Sequence, residues 1–160
     1  MDESGLNQSP VQDRRSSSTS QLDARRRQIL VVEDNKADLF LIRKAIEAVQ
    51  VDAELNVVSD GHAAIGFFDA VDAGDTTCPP DLVLLDLNLP KRSGEEVLKH
   101  LRNSDRCRNA LVLIVTSSDS TREREAAAAL SVIGYFRKPS QFAEFMKLGP
   151  LVKQLLEAAG

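Results

Sequence analysis

Three short apolar runs in this chain end in residues that can do chemistry. Leu82-Val83-Leu84-Leu85 runs into Asp86, and Ile29-Leu30-Val31-Val32 runs into Glu33-Asp34. A third run, later in the chain, is followed by Lys138. Apolar runs of this length read as strands buried on both faces. A polar residue that follows one stands at the carboxyl end of a central strand, where open α/β sheets place their ligand crevice. Carboxylates gathered at one sheet edge repel one another and need a counter-ion. A hard divalent cation meets that need, since Mg²⁺ takes oxygen ligands and is held by one or two carboxylates plus phosphate oxygens. A nearby lysine adds fixed positive charge for the same oxygens. An aspartate so placed is also a nucleophile able to form an acyl phosphate.

The elements that must position these groups alternate along the chain. Strand patterns fall at 28–33, 53–58, 81–86, 111–116 and 132–136. Between them, residues 36–49 carry Leu39, Ile42, Ile46 and Val49 on one helical stripe, and 60–73 carry Ala64, Phe67, Phe68 and Val71. Ser93-Gly94-Glu95-Glu96 is a capping-box pattern that opens a third helix burying Val97, Leu98 and Leu101. A fourth helix, about 120–130, is alanine-rich with a weak stripe. A last one, after 140, carries Phe142, Phe145, Met146, Leu151, Val152, Leu155 and Leu156, and Gly149-Pro150 is expected to break or kink it. Five strands alternating with five helices imply right-handed βαβ units and a doubly wound five-stranded parallel sheet. Ala73 to Pro80 reads as a surface loop.

Composition narrows the function. The 160 residues suit one domain with a single core, residues 28–160. Residues 1–27, with Ser16-Ser17-Ser18-Thr19-Ser20 and the clusters Arg14-Arg15 and Arg25-Arg26-Arg27, are expected to be a disordered tail. The net charge is −4; residues 1–27 hold five Arg and four acids, so the remainder carries −5. An acidic body argues against DNA binding. No apolar segment approaches transmembrane length and no secretory signal is visible, so a cytoplasmic protein without a membrane partner is expected. Cys78 and Cys107 form no metal pattern and read as reduced thiols. His62 and His100 fall away from the apolar stripes and have no ligand neighbours.

Taken singly, each site residue has a plain alternative. Asp34 or Asn35 could cap the first helix, Thr116-Ser117-Ser118-Asp119 could be a polar loop, Lys138 a solvated lysine and Tyr135 ordinary strand packing. Asp86 is poorly explained as a cap, because Leu87-Asn88-Leu89-Pro90 delays the next helix.

Jointly, Glu33-Asp34, Asp86, Thr116, Tyr135 and Lys138-Pro139 resemble the signature of the response-regulator receiver domain of the chemotaxis CheY type. Thr116 lies thirty residues after Asp86, and Lys138 twenty-two after Thr116. The likeness covers about residues 28–157. Val32-Glu33-Asp34-Asn35 and Leu85-Asp86-Leu87-Asn88-Leu89-Pro90 are similar to a single-domain subgroup that includes partners of bacterial phytochromes. The resemblance implies a flavodoxin-like sheet of order 2-1-3-4-5 and a phosphoacceptor at Asp86, charged by a sensor histidine kinase of bacteriophytochrome type. It implies Mg²⁺ or Mn²⁺ held by Asp34, Asp86 and the Asn88 carbonyl, with Glu33 acting through a metal-bound water. Lys138 would meet a phosphoryl oxygen, and its bond to Pro139 is often cis in this family. Thr116 would move inward on phosphorylation and Tyr135 would follow, altering the surface of the fourth helix, fifth strand and last helix. Kinase docking is expected beside the site on the first helix, at Lys36, Leu39 and Phe40.

The expected protein is thus a free-standing receiver, not a separate enzyme. By the same resemblance it would catalyse its own phosphoryl transfer and slow dephosphorylation, and would give output through binding or homodimerisation by its C-terminal face. Glu33 replaces an aspartate seen in many receivers. Ser118, short and neutral, stands where some receivers carry a carboxylate or amide that assists hydrolysis, so the phosphoryl lifetime is not legible. Two other classes fit less well. A haloacid-dehalogenase-type phosphatase would need a second acid at Asn88 and its nucleophile on the first strand. A flavodoxin-like cofactor binder would need a phosphate-binding loop where Glu33-Asp34 stands, and bound flavin would colour it yellow.

Overall fold

Central strands here are apolar on both faces because both faces are covered. In the computed structural model, which describes residues 25–75 and 78–159, the strands are β1 (Arg27–Val32), β2 (Ala53–Val58), β3 (Leu82–Leu85), β4 (Leu111–Thr116) and β5 (Gly134–Arg137). All pair in parallel in the order β2-β1-β3-β4-β5, as expected. The helices are α1 (Lys36–Ala48), α2 (Gly61–Asp72), α3 (Gly94–Arg102), α4 (Thr121–Ala129), α5 (Phe142–Phe145) and α6 (Leu148–Ala159).

Alternate residues of each strand feed two separate cores, as period-two geometry requires. Leu30, Val32, Val83, Leu85, Val112 and Ile114 face α2, α3 and α4, where Phe68, Leu98 and Leu101 are fully buried. Ile29, Val31, Leu82, Leu84, Leu113 and Val115 face α1, α5 and α6, meeting Ile42, Phe145 and Val152. Capping follows the short polar residues: Asn35, Asp60, Ser93 and Ser120 each accept a backbone N–H from three residues on. The cap of α1 is therefore Asn35, which leaves the Asp34 carboxylate free.

Several boundaries differ from expectation. The last helix is in two pieces, but the break falls at Met146–Lys147; Gly149 and Pro150 lie in the first turn of α6. There the missing N–H of proline costs nothing, and Gly149 lets α6 press against α1. The fifth strand starts two residues later than its apolar pattern, at Gly134. Arg27 already belongs to β1, and Arg25 and Arg26 reach Asp81 and Asp52 at 3.0 Å. The rest of the expected tail, 1–24, and residues 76–77 of the loop before β3 lie outside the described residues.

Among the described residues, no helix is long and apolar enough to cross a membrane. Cys78 is exposed and Cys107 buried, both unbridged, and burial pushes the Cys107 thiol up. His62 is exposed, while His100 Nε2 lies 2.7 Å from Asp69 Oδ1, joining α3 to α2.

Candidate metal and phosphoryl site

Strand register sets the site. Val32 of β1 stands opposite Leu85 of β3, so Glu33 and Asp86 emerge side by side, one residue past the last pair. The Asp86 N–H donates to the Val32 carbonyl at 3.2 Å, which fixes that junction. On the other side Thr116 of β4 pairs with Arg137 of β5, which delivers Lys138 to the same edge; the Lys138 N–H donates to the Thr116 carbonyl at 2.9 Å. Behind Asp86 the backbone turns tightly. An added Cβ at Gly94 would lie 2.7 Å from the Asp86 carbonyl oxygen and 2.6 Å from Leu87 Cα.

The carboxylates converge. Glu33, Asp34 and Asp86 each offer an oxygen, and these oxygens lie within 4.8 Å of one another. Glu33 and Asp86 are buried, 2% and 5% exposed, while Asp34 is exposed and opens the cluster to solvent. Asp86 is held through both oxygens: the Asn88 N–H donates to Oδ1 at 3.1 Å and Lys138 Nζ to Oδ2 at 2.9 Å. Asn88 is otherwise exposed.

Lys138 is the hub. Its side chain is 7% exposed, and Nζ lies 2.6 Å from Glu33 Oε1, 2.8 Å from Asp38 Oδ2 and 2.9 Å from Asp86 Oδ2. Burial alone would favour the neutral amine, but the Asp38, Glu33 and Asp86 carboxylates around it outweigh it and raise the ammonium above the ordinary lysine range. Glu33 is pushed up instead: burial dominates, Lys138 and the Asn35 N–H oppose it, and the Asp86 charge adds to it. The peptide bond from Lys138 to Pro139 is trans, unlike the isomer often found with the signature.

The remaining expected residues take graded positions. Thr116 is wholly buried at the end of β4, its Oγ1 accepting the Ser118 N–H at 3.3 Å. Ser118 is engaged by its hydroxyl with the Glu123 carboxylate of α4. Tyr135 sits one strand over, opposite Ile114, half-buried, with the Arg124 guanidinium 4.3 Å above its ring. It belongs to the neighbouring face rather than to the acidic cluster. Asp38 is the residue that reading the sequence missed. In the sequence it is an ordinary acidic residue in the first turn of α1, and nothing local marks it as a partner of Lys138.

This donor set suits a hard divalent ion. It is all oxygen, mixes buried and open carboxylates, and includes Glu33 Oε1, which meets Lys138 by charge but accepts no well-directed hydrogen bond. Glu33, Asp34 and Asp86 would hold such an ion.

Comparison with known proteins agrees with this geometry. The response regulator receiver domain matches residues 29–148. The chain is 33% identical over 120 residues to response regulator Rcp1 of Synechocystis sp., covering 75% of this chain and 82% of that protein. The phosphorylated cyanobacterial phytochrome response regulator RcpA superposes with a TM-score of 0.77 at 29% identity, covering 85% of this chain and 98% of RcpA. The Mn²⁺-bound form of Rcp1 does so with a TM-score of 0.72 at 31% identity, covering 80% and 92%. A doubly wound sheet of this order, a buried aspartate gripped by a lysine, and a family match over most of the chain lead to one conclusion: this protein belongs to the response regulator receiver domain family of two-component signalling, whose members work with histidine kinases.

Proposed function

We propose that the chain is the phosphoacceptor of a two-component relay, taking a phosphoryl group from a phosphohistidine onto Asp86. The observation that carries this is Lys138 Nζ at 2.9 Å from Asp86 Oδ2, beside an oxygen cluster fit for a divalent ion. A carboxylate oxygen of Asp86 attacks phosphorus, the bond from phosphorus to the imidazole nitrogen breaks, and the departing imidazole is free to take a proton. The Lys138 ammonium stands where it can follow the charge from carboxylate to phosphoryl oxygens. Mg²⁺ or Mn²⁺, held by Glu33, Asp34 and Asp86 with the Asn88 carbonyl, supplies neutralising charge for those same oxygens. Thr116, buried at the same edge, is the hydroxyl that turns toward the new group, and Tyr135 follows. The chain acts on itself, and no separate substrate is turned over.

The donor kinase fits beside the site. Lys36 and Phe40 of α1 are exposed and Leu39 half-buried, with Phe40 at 56%. The likeness to RcpA, a phytochrome response regulator, supports a kinase of the phytochrome class. Output is through binding by the face of α4, β5 and the α5–α6 pair. Most of the apolar residues there are spent on the core, but Phe142 remains 59% exposed and Leu151 and Leu155 are half-buried, which favours a second copy as partner. Sedimentation is expected to show dimers that strengthen with a phosphoryl mimic; monomers at high concentration in both states would remove that part of the reading.

Intact mass after incubation with a small phosphodonor and Mg²⁺ tests the central claim. Wild type is expected to gain one phosphoryl group, prevented by chelator, and Asp86→Asn none. No gain by wild type with any divalent metal would leave a receiver that signals by binding alone.

A further inference from the structure

The Lys138 ammonium has three N–H bonds and three carboxylate neighbours, Glu33, Asp86 and Asp38. Two of them belong to the trio whose oxygens crowd within 4.8 Å; Asp38 does not. This division matters once the site is charged. A divalent ion at the trio draws on the lone pairs of Glu33 and Asp86 and repels the ammonium by like charge. Transfer onto Asp86 then converts one of its oxygens into the bridging oxygen of an acyl phosphate, a mixed anhydride that leaves the carboxyl group without its charge. Of the three anions that hold Lys138 at rest, Asp38 alone keeps its full charge for it throughout.

Its backbone is built to stay in place. Asp38 lies in the first turn of α1, and its N–H donates to the capping Asn35 Oδ1 at 3.0 Å. The helix is anchored one turn further on by Ile42, Ala45 and Ile46, all buried. The carboxylate reaches across from α1 to a lysine one hundred residues later, just beyond β5, joining the first and last segments of the site. Its Oδ2 is 2.8 Å from Nζ, within the usual range for charged pairs.

We propose that Asp38 is a positioning residue for Lys138: an anchor outside the ion-binding trio that keeps the ammonium at Asp86 while the other two carboxylates are engaged. This rests on the reading of Asp86 as phosphoacceptor. Without the anchor, an incoming cation displaces Lys138 toward solvent, and the developing phosphoryl charge loses its lysine.

The test pairs a rate with a direct view of the lysine. Phosphorylation of the full chain by a small phosphodonor at saturating Mg²⁺ is followed by intact mass for wild type, Asp38→Asn and Asp38→Glu. In parallel, the side-chain ammonium of Lys138 is observed by ¹⁵N NMR with and without Mg²⁺, its signal assigned by loss in Lys138→Arg. Held ammonium protons exchange slowly enough to be seen, and freed ones do not. Asp38→Asn is expected to slow phosphorylation about tenfold or more, the scale of a lost hydrogen bond between charged groups. It is also expected to lose the Lys138 signal when Mg²⁺ is added, while wild type keeps it. Asp38→Glu should restore both, which a merely structural defect would not do. A rate within twofold of wild type, or a Lys138 signal in Asp38→Asn that survives Mg²⁺, overturns the proposal. Should wild type gain no phosphoryl group, the phosphoacceptor reading falls, and the NMR result still decides whether Asp38 anchors the lysine.

Discussion

Replacing Lys138 by alanine is expected to destabilise the metal-free protein by about 3–5 kcal/mol at neutral pH, the range for breaking a buried ion pair from one side. For a domain of this size that lowers the melting temperature by on the order of 10 °C. Lys138 is the cation facing Glu33, Asp38 and Asp86. Glu33 and Asp86 are almost fully buried and would be left with uncompensated charge. The pH dependence carries a definite sign. With its ammonium raised above the ordinary range, Lys138 contributes fully throughout neutral pH, and its contribution fades only in strong base. Glu33 runs the other way: a carboxyl raised by burial favours the protonated form in the fold, so its ionisation costs stability as pH rises past the ordinary glutamate range. Removing Lys138 takes away the main influence lowering Glu33. The variant should therefore regain stability as pH falls from 7 toward 5, and also on adding Mg²⁺. Thermal melts across pH and Mg²⁺ concentration check this. A loss that neither acid nor Mg²⁺ reduces would show that Lys138 matters through packing rather than charge.

The second large effect lies far from the chemistry. Gly149→Ala is expected to destabilise the fold by about 1–3 kcal/mol, the range for overpacking, with no change in the residues that bind or react. A Cβ at Gly149 would sit 2.2 Å from the Ala45 carbonyl oxygen and 3.0 Å from Val49 Cγ1. The first contact is with backbone inside α1, which cannot swing aside as a side chain would. Relief requires α6 to move away from α1, loosening Ile42, Ile46, Leu148 and Val152 together. Because α1 also carries Asn35 and Asp38, that movement should slow phosphorylation as well. Chemical denaturation of the variant gives the first quantity and intact mass the second. Unchanged stability would mean that the two helices tolerate a wider spacing.

Much of this protein was legible as a string of residues because its chemistry follows strand ends. Ile29 to Val32 and Leu82 to Leu85 are apolar without interruption since both sheet faces are covered, and the first polar residue after each marks the edge where the site forms. Glu33, Asp34, Asp86 and Lys138 could be placed together from that pattern alone. The helix cap at Ser93 was equally local, being set by a short polar side chain and the next three residues.

What the string left open depends on contacts between distant segments. Gly149-Pro150 looks like a helix breaker in isolation, but its place in the first turn of α6 makes proline harmless and glycine necessary, because Ala45 lies against it. Arg27 looks like the end of a polar tail until β2 and Asp81 are there to receive its neighbourhood. Asp38 looks like an ordinary helix aspartate until Lys138 arrives from the far end of the chain. Residue types and period determined which fold forms and which strand ends carry charge, since those follow from burial and local geometry. Only the tertiary structure decided which carboxylate holds the lysine and which glycine lets the helices meet, since those depend on distances between segments that no local pattern encodes.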